Sequence, residues 1–127
     1  MTDTIEVTKD EESASQVPNA WRYTIKKIAD LLPNVEDLKT ADVGGFKGVS
    51  DDDASRINES IASYGCTLTS LHSDTWATSV VQWMGGYWDV IVDLNTLEEG
   101  PSDLAMLLRV RESDGGYVFE IVSVHVP

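Results

Sequence analysis

Positive charge is scarce in this sequence. Nine Lys and Arg stand against 22 Asp and Glu, giving a formal net charge of −13 over 127 residues. Phosphate contacts need Lys and Arg, so bare nucleic acid and anionic membrane surfaces should repel the chain. Cysteine is limited to Cys66, which excludes an intrachain disulfide and fits a reducing, cytoplasmic setting. No stretch approaches the roughly 18 apolar residues of a membrane span. The opening MTDTIEVTKDEESASQ has neither a basic start nor an apolar segment, so no secretion signal is expected. Histidine occurs only at His72 and His125, and no His, Cys and carboxylate group has zinc-site spacing; neither metal nor cofactor is expected.

What is present suffices for one core, since 42% of the residues are apolar and the length fits a single domain. The acidity is uneven. Residues 1–18 carry net −4, residues 19–64 net −2, and residues 65–127 net −7 with Arg109 and Arg111 as their only bases. Three readings of that acidity stand: ordinary solubility, adaptation to a high-salt interior, or a surface that draws a basic partner.

Residues 1–18 are polar without apolar periodicity and read as a disordered acidic tail, leaving 19–127 as one domain. A first helix is expected from Asn19, as N-cap, through Trp21, Ile25, Ile28, Leu31 and Leu32 to Pro33. Residues 34–49 read as a glycine-bearing loop with a short helical turn near Val35–Leu38. A second helix has clear ends: Ser50 as cap, Asp51, Asp52 and Asp53 in its first turn, and Gly65 after its last. From Cys66 the apolar period becomes two, predicting strands at 66–71, 76–83, 87–94, 104–112 and 117–126, with turns at Ser73-Asp74, Gly85-Gly86 and Asp114-Gly115-Gly116. The expected fold is α+β, two N-terminal helices packed on one face of a four- to five-stranded antiparallel meander.

Alternation divides the strands into faces. Trp88, Val90, Val92 and Leu94 pair with Leu104, Met106, Leu108 and Val110 as the face toward the helices. The opposite face carries Asp89, Asp93, Arg109, Arg111 and Glu120 among Ile91, Leu107, Val122 and Val124. Such a face is either solvated, with cross-strand Asp–Arg pairs, or a binding surface anchored on the two arginines.

Motifs for catalysis are weak. Cys66 and the His72-Ser73-Asp74 run are six residues apart, roughly 20 Å along a strand, too far for a thiolate and its base. The glycines of Val43-Gly44-Gly45-Phe46-Lys47-Gly48 precede a helix, but Asp51–Asp53 occupy the site a phosphate would need and Gly-Lys-Ser/Thr is missing. Trp83 and Tyr87 flank the Gly85-Gly86 turn and serve either as core caps or as interface anchors.

Residues 90–110, VIVDLNTLEEGPSDLAMLLRV, together with GYVFEIVSVHVP and the upstream Tyr64-Gly65-Cys66-Thr67-Leu68, resemble a family of small stand-alone bacterial proteins of unknown function with a V-D-L-x-T-x-E-E-G-x-S-D-L motif. Asn95 and Pro101 depart from that pattern, standing where Trp and Arg are usual. The resemblance implies an α+β fold and no activity.

Two functional expectations follow. The first is a non-enzymatic acidic interaction protein that binds and inhibits a basic protein partner, of immunity or anti-defence type, through Glu98, Glu99, Asp103, Trp83 and Tyr87. The alternative is a small-ligand-binding or enzymatic cone-shaped NTF2-like domain whose pocket, between helices and sheet, uses Asp89, Arg109, Arg111 and His125 beside Trp83 and Tyr87.

Overall fold

The computed structural model describes residues 4–127. Helix α1 (Asn19–Leu31) buries Trp21, Thr24, Ile25, Ile28 and Ala29, the stripe the spacing predicts. Asn19 does not cap it. Pro18 precedes the helix with no side-chain cap, and Asn19 Oδ1 accepts from Ile5 N at 2.6 Å while Asn19 N donates to Ile5 O at 3.1 Å. Helix α2 (Val35–Thr40) is capped by Asn34, whose side chain accepts from Glu36 N. Helix α3 (Asp51–Tyr64) starts as the sequence indicates, with Ser50 Oγ accepting from Asp53 N at 3.2 Å, and ends at Gly65 in the left-handed region. Lys39 of α2 pairs with both Glu36 and Asp51, fastening α2 to the start of α3 and raising its own pKa through those two carboxylates.

The sheet contains β1 (Leu68–Thr69), β2 (Val80–Trp83), β3 (Trp88–Thr96), β4 (Gly100–Ser113) and β5 (Gly116–His125), all paired antiparallel. With its N-terminally placed helices the molecule is an α+β domain. The strand path differs from a plain meander, because β1 and β2 share one edge of β3, β1 opposite Asn95–Thr96 and β2 opposite Trp88–Ile91. The strand predicted over 66–71 is only two residues long. The one predicted over 76–83 divides into a single-turn helix α4 (Thr75–Thr78) and β2. Hydroxyls cause the division: Thr75 Oγ1 donates to Asp93 O at 2.6 Å and Ser79 Oγ accepts from Asp93 N at 3.2 Å, so side chains satisfy β3 backbone where a strand would have paired. The stretch 95–103, left between the predicted strands 87–94 and 104–112, is mostly strand, leaving Leu97–Glu99 as a tight turn between β3 and β4.

The inner face is as expected, with Trp88, Val90, Val92, Leu94, Leu104, Met106, Leu108 and Val110 all buried against Ile25, Ile28, Leu32, Leu38 and Phe46. Val124 corrects the face assignment. A bulge places Ile121 and Ser123 opposite the consecutive Leu108 and Leu107, so Val122 is an extra residue and stays exposed while Val124 turns inward opposite Met106. The 43–48 loop is part of the core: Phe46 is fully buried and Phe119 N donates to Gly45 O at 3.1 Å, which covers part of the outer edge of β5.

Residues 4–18, expected as a disordered tail, lie along the other edge in this structure; residues 1–3 of that expected tail fall outside the described residues. Ser15 and Val81 exchange backbone hydrogen bonds of 2.9 and 2.8 Å, Trp88 Nε1 donates to Thr8 O at 2.7 Å, and Gln82 Nε2 donates to Asp10 O at 3.0 Å. Val17 is 0% exposed. A polar sequence can pack this way because its backbone carbonyls satisfy a buried indole and the open edge of β2.

Candidate functional site

The outer sheet face is open, and its charges are mostly paired within the chain. Asp89 and Arg109 are direct cross-strand partners with Nε 3.7 Å from Oδ1, and the guanidinium stacks 4.1 Å from the Tyr87 ring centroid. Arg111 pairs with Glu120. His125 lies four positions along β4 from this cluster, opposite Ala105, with its Nδ1 2.9 Å from Ser123 Oγ in a groove beside α3. The structure thus brings Tyr87, Asp89 and Arg109 together on the open outer face, with Arg111 two positions along β4, but leaves His125 apart from them, and the space between helices and sheet is filled by the core. Trp83 sits on the inner face, 4.6 Å from the Trp88 ring, with Lys9 above it at 5.3 Å; it caps an aromatic cluster that includes Trp21 and Tyr117.

The expected partner surface is likewise divided. Trp83 and Tyr87 lie at the start of β3, Glu98 and Glu99 beyond its far end, roughly 30 Å away at the usual rise per residue, and Asp103 on β4 beside Leu94, roughly 20 Å away. Glu98 and Glu99 also work within the chain. Glu98 Oε1 accepts from Thr67 N at 2.8 Å, which holds its carboxyl below the usual range. Glu99 Oε1 accepts from Tyr64 OH at 2.6 Å and thereby raises the phenol pKa. Leu97 N donates to Thr67 O at 2.8 Å, Glu99 N to Thr96 Oγ1, and Ser102 Oγ to Leu94 O. The Tyr64–Leu68 and Val92–Leu104 segments that carried the sequence resemblance are thus one clamp, joining the end of α3 to the β3–β4 turn. Cys66 is half-buried within it, and burial followed by the nearby Glu98 and Glu99 pushes its thiol pKa up.

Sequence reasoning missed the concavity beside this clamp. A cavity of about 120 Å³ opens where β3 bulges between Asp93 and Asn95, lined by Asp74, Thr75, Thr78, Asp93, Leu94, Asn95 and Pro101. It adjoins shallower grooves that share Pro101, one reaching His72 and Gly100 and the other Asp103 and Val126. The surrounding polar groups are unusually buried: Thr75, Ser79, Asn95 and Thr96 are all below 9% exposure. Thr78 Oγ1 donates to Asp93 Oδ2 at 2.5 Å, and His72 N donates to Asn95 Oδ1 at 2.9 Å. Asn95 and Pro101, the two departures from the resembled pattern, both line it. Only that departure could have flagged the place, since the residues come from three separate stretches of chain.

These features define a small α+β domain with a one-sided open sheet and, at one sheet end, a small cavity of mostly apolar surface that Asp74 and Asp93 help to line. The family described as Domain of unknown function (DUF7668) matches residues 29–127, and the chain belongs to it. No curated protein and no solved structure matches the chain. No helix among the described residues is long and apolar enough to cross a membrane.

Proposed function

We propose that the protein is a non-enzymatic acidic interaction module that binds, and by binding inhibits, a basic protein partner, as an immunity or anti-defence protein would. One observation carries this reading: Asp74, Asp93, Glu98, Glu99 and Asp103 gather at the β3–β4 end of the sheet, and among the described residues none of them is ion-paired to Lys or Arg. Asp42, Asp53, Asp89, Glu112 and Glu120 are each matched by a base, while Asp10, Glu11 and Glu12 of the N-terminal segment and Asp52 and Glu59 of α3 are, like this cluster, in no ion pair among the described residues. A local concentration of unmatched acids on a chain of net charge −13 steers a cationic surface and gives binding that weakens with salt.

The expected contact surface is correspondingly narrower than the sequence indicated. Asp74, Asp93 and Asp103 carry it, with Glu98 and Glu99 supplying charge from the clamp and Trp83 and Tyr87 outside it. The test is affinity capture from host lysate at low salt, identification of the retained protein, and calorimetry of the purified pair across ionic strength. A basic partner whose affinity falls with salt, and falls further for Asp74→Lys and Asp103→Lys, supports the reading. A partner bound equally at all salts, or unaffected by both charge reversals, refutes it.

A further inference from the structure

The bulge cavity is too small for a drug-sized ligand, which takes about 300–1,000 Å³, and at about 120 Å³ it suits one side chain. Its chemistry has two signs. Asp93 commits Oδ2 to Thr78 and leaves Oδ1 without a described partner, and Asp74, whose Oδ2 lies 3.3 Å from His72 Nδ1, presents a largely exposed carboxylate. Leu94 and Pro101 give the cavity apolar sides. Asn95 is 6% exposed, and its orientation is set by the bond from His72 N to Oδ1. Its Nδ2 therefore borders the cavity as a donor with no partner among the described hydrogen bonds, and it is not a sealed-off atom.

We propose that this cavity receives one arginine of the basic partner. The guanidinium bridges Asp74 and Asp93, its aliphatic stem packs between Leu94 and Pro101, and a carbonyl of the same segment accepts from Asn95 Nδ2. Arginine fits better than lysine because the two carboxylates stand on different elements, and a planar fork of donors reaches both at once where an ammonium is a single point. The inference rests on the basic-partner reading and adds to it the residue that is recognised.

The probe is the capped peptide acetyl-Gly-Arg-Gly-amide, titrated into the ¹⁵N-labelled full chain, with acetyl-Gly-citrulline-Gly-amide as its neutral isostere. The arginine peptide should shift the Asn95 side-chain amide and the Thr78 and Asp93 backbone amides with a Kd of about 1–10 mM. The citrulline peptide, and the isosteric variants Asp93→Asn and Asp74→Asn with the arginine peptide, should bind at least about tenfold more weakly. Unmoved cavity resonances, or equal shifts from the citrulline peptide, overturn the proposal. If the peptide fails while a basic protein still binds in a salt-dependent way, the arginine inference falls and the interaction reading stands. If the peptide binds the cavity but no basic protein is retained at low salt, the interaction reading falls and the guanidinium site stands.

Discussion

At Gly45 a side chain has nowhere to go. An added Cβ would lie 2.1 Å from the Tyr117 carbonyl oxygen, and the backbone holds φ at +97°, a region L residues avoid. Gly45→Ala should therefore cost about 2–4 kcal/mol in urea unfolding. Gly86→Ala meets nothing within 4 Å and should be near neutral; equal effects at the two positions would remove the steric account. Cys66 offers a second residue-scale test. Burial first, then Glu98 and Glu99, raise its thiol pKa, so its thiolate is scarcer at neutral pH than that of a free cysteine. Iodoacetamide alkylation of the folded chain should show its pH midpoint above about 8.5 and return to that ordinary value in urea. A folded midpoint at or below the unfolded one would mean the carboxylates and burial do not act on the thiol.

At the scale of elements, the N-terminal segment makes the strongest claim. It supplies the acceptor for the Trp88 indole at Thr8 O, the partner for the β2 edge at Ser15, and the Lys9 cover over Trp83 with its pair to Glu112. A chain beginning at Ser13 keeps the Ser15 bridge and Val17 but leaves the indole donor unmatched. It should lose about 1–3 kcal/mol and show red-shifted tryptophan emission as Trp83 and Trp88 meet water. Unchanged stability and emission would support the disordered-tail reading instead. The Tyr64–Glu99 and Thr67–Glu98 clamp is a different kind of element, built from exposed groups around a tight turn. Its acids serve geometry as well as charge, so Glu98→Ala would alter the turn along with the field. Asp74 and Asp103 are cleaner probes of binding.

For the molecule as a whole, a net charge of −13 acts on stability and on association with opposite signs. Self-repulsion within the folded chain is screened as salt rises, and the Debye length falls from about 10 Å at 0.1 M to about 3 Å at 1 M. The Tm of the free protein should climb by several degrees on adding moderate KCl and then level off, while affinity for a basic partner declines over the same range. A Tm that keeps rising steeply into molar KCl would instead assign the acidity to a high-salt interior.

The elements with short-range causes were legible in the sequence. Ser50, Asp53 and Gly65 bound α3 through their own backbone chemistry, and strict alternation marked the inner faces of β3 and β4, because caps and pleats depend on residues a few positions apart. That Asp89 and Arg109 share the outer face was legible from the same alternation, while their direct pairing depended on a β3–β4 register the sequence did not set. Tertiary structure decided the rest. One extra residue at Val122 reversed the face of Val124, since a period of two has no tolerance for an insertion. A polar segment lies against the sheet because distant groups, the Trp88 indole and the β2 edge, meet its backbone there. The cavity exists only where α4, the β3 bulge and the start of β4 meet, and its unmatched Asn95 amide follows from a bond to His72, 23 residues away. Sequence fixes propensities and periods, which are local; burial of a polar atom and the space left beside it depend on everything that packs there.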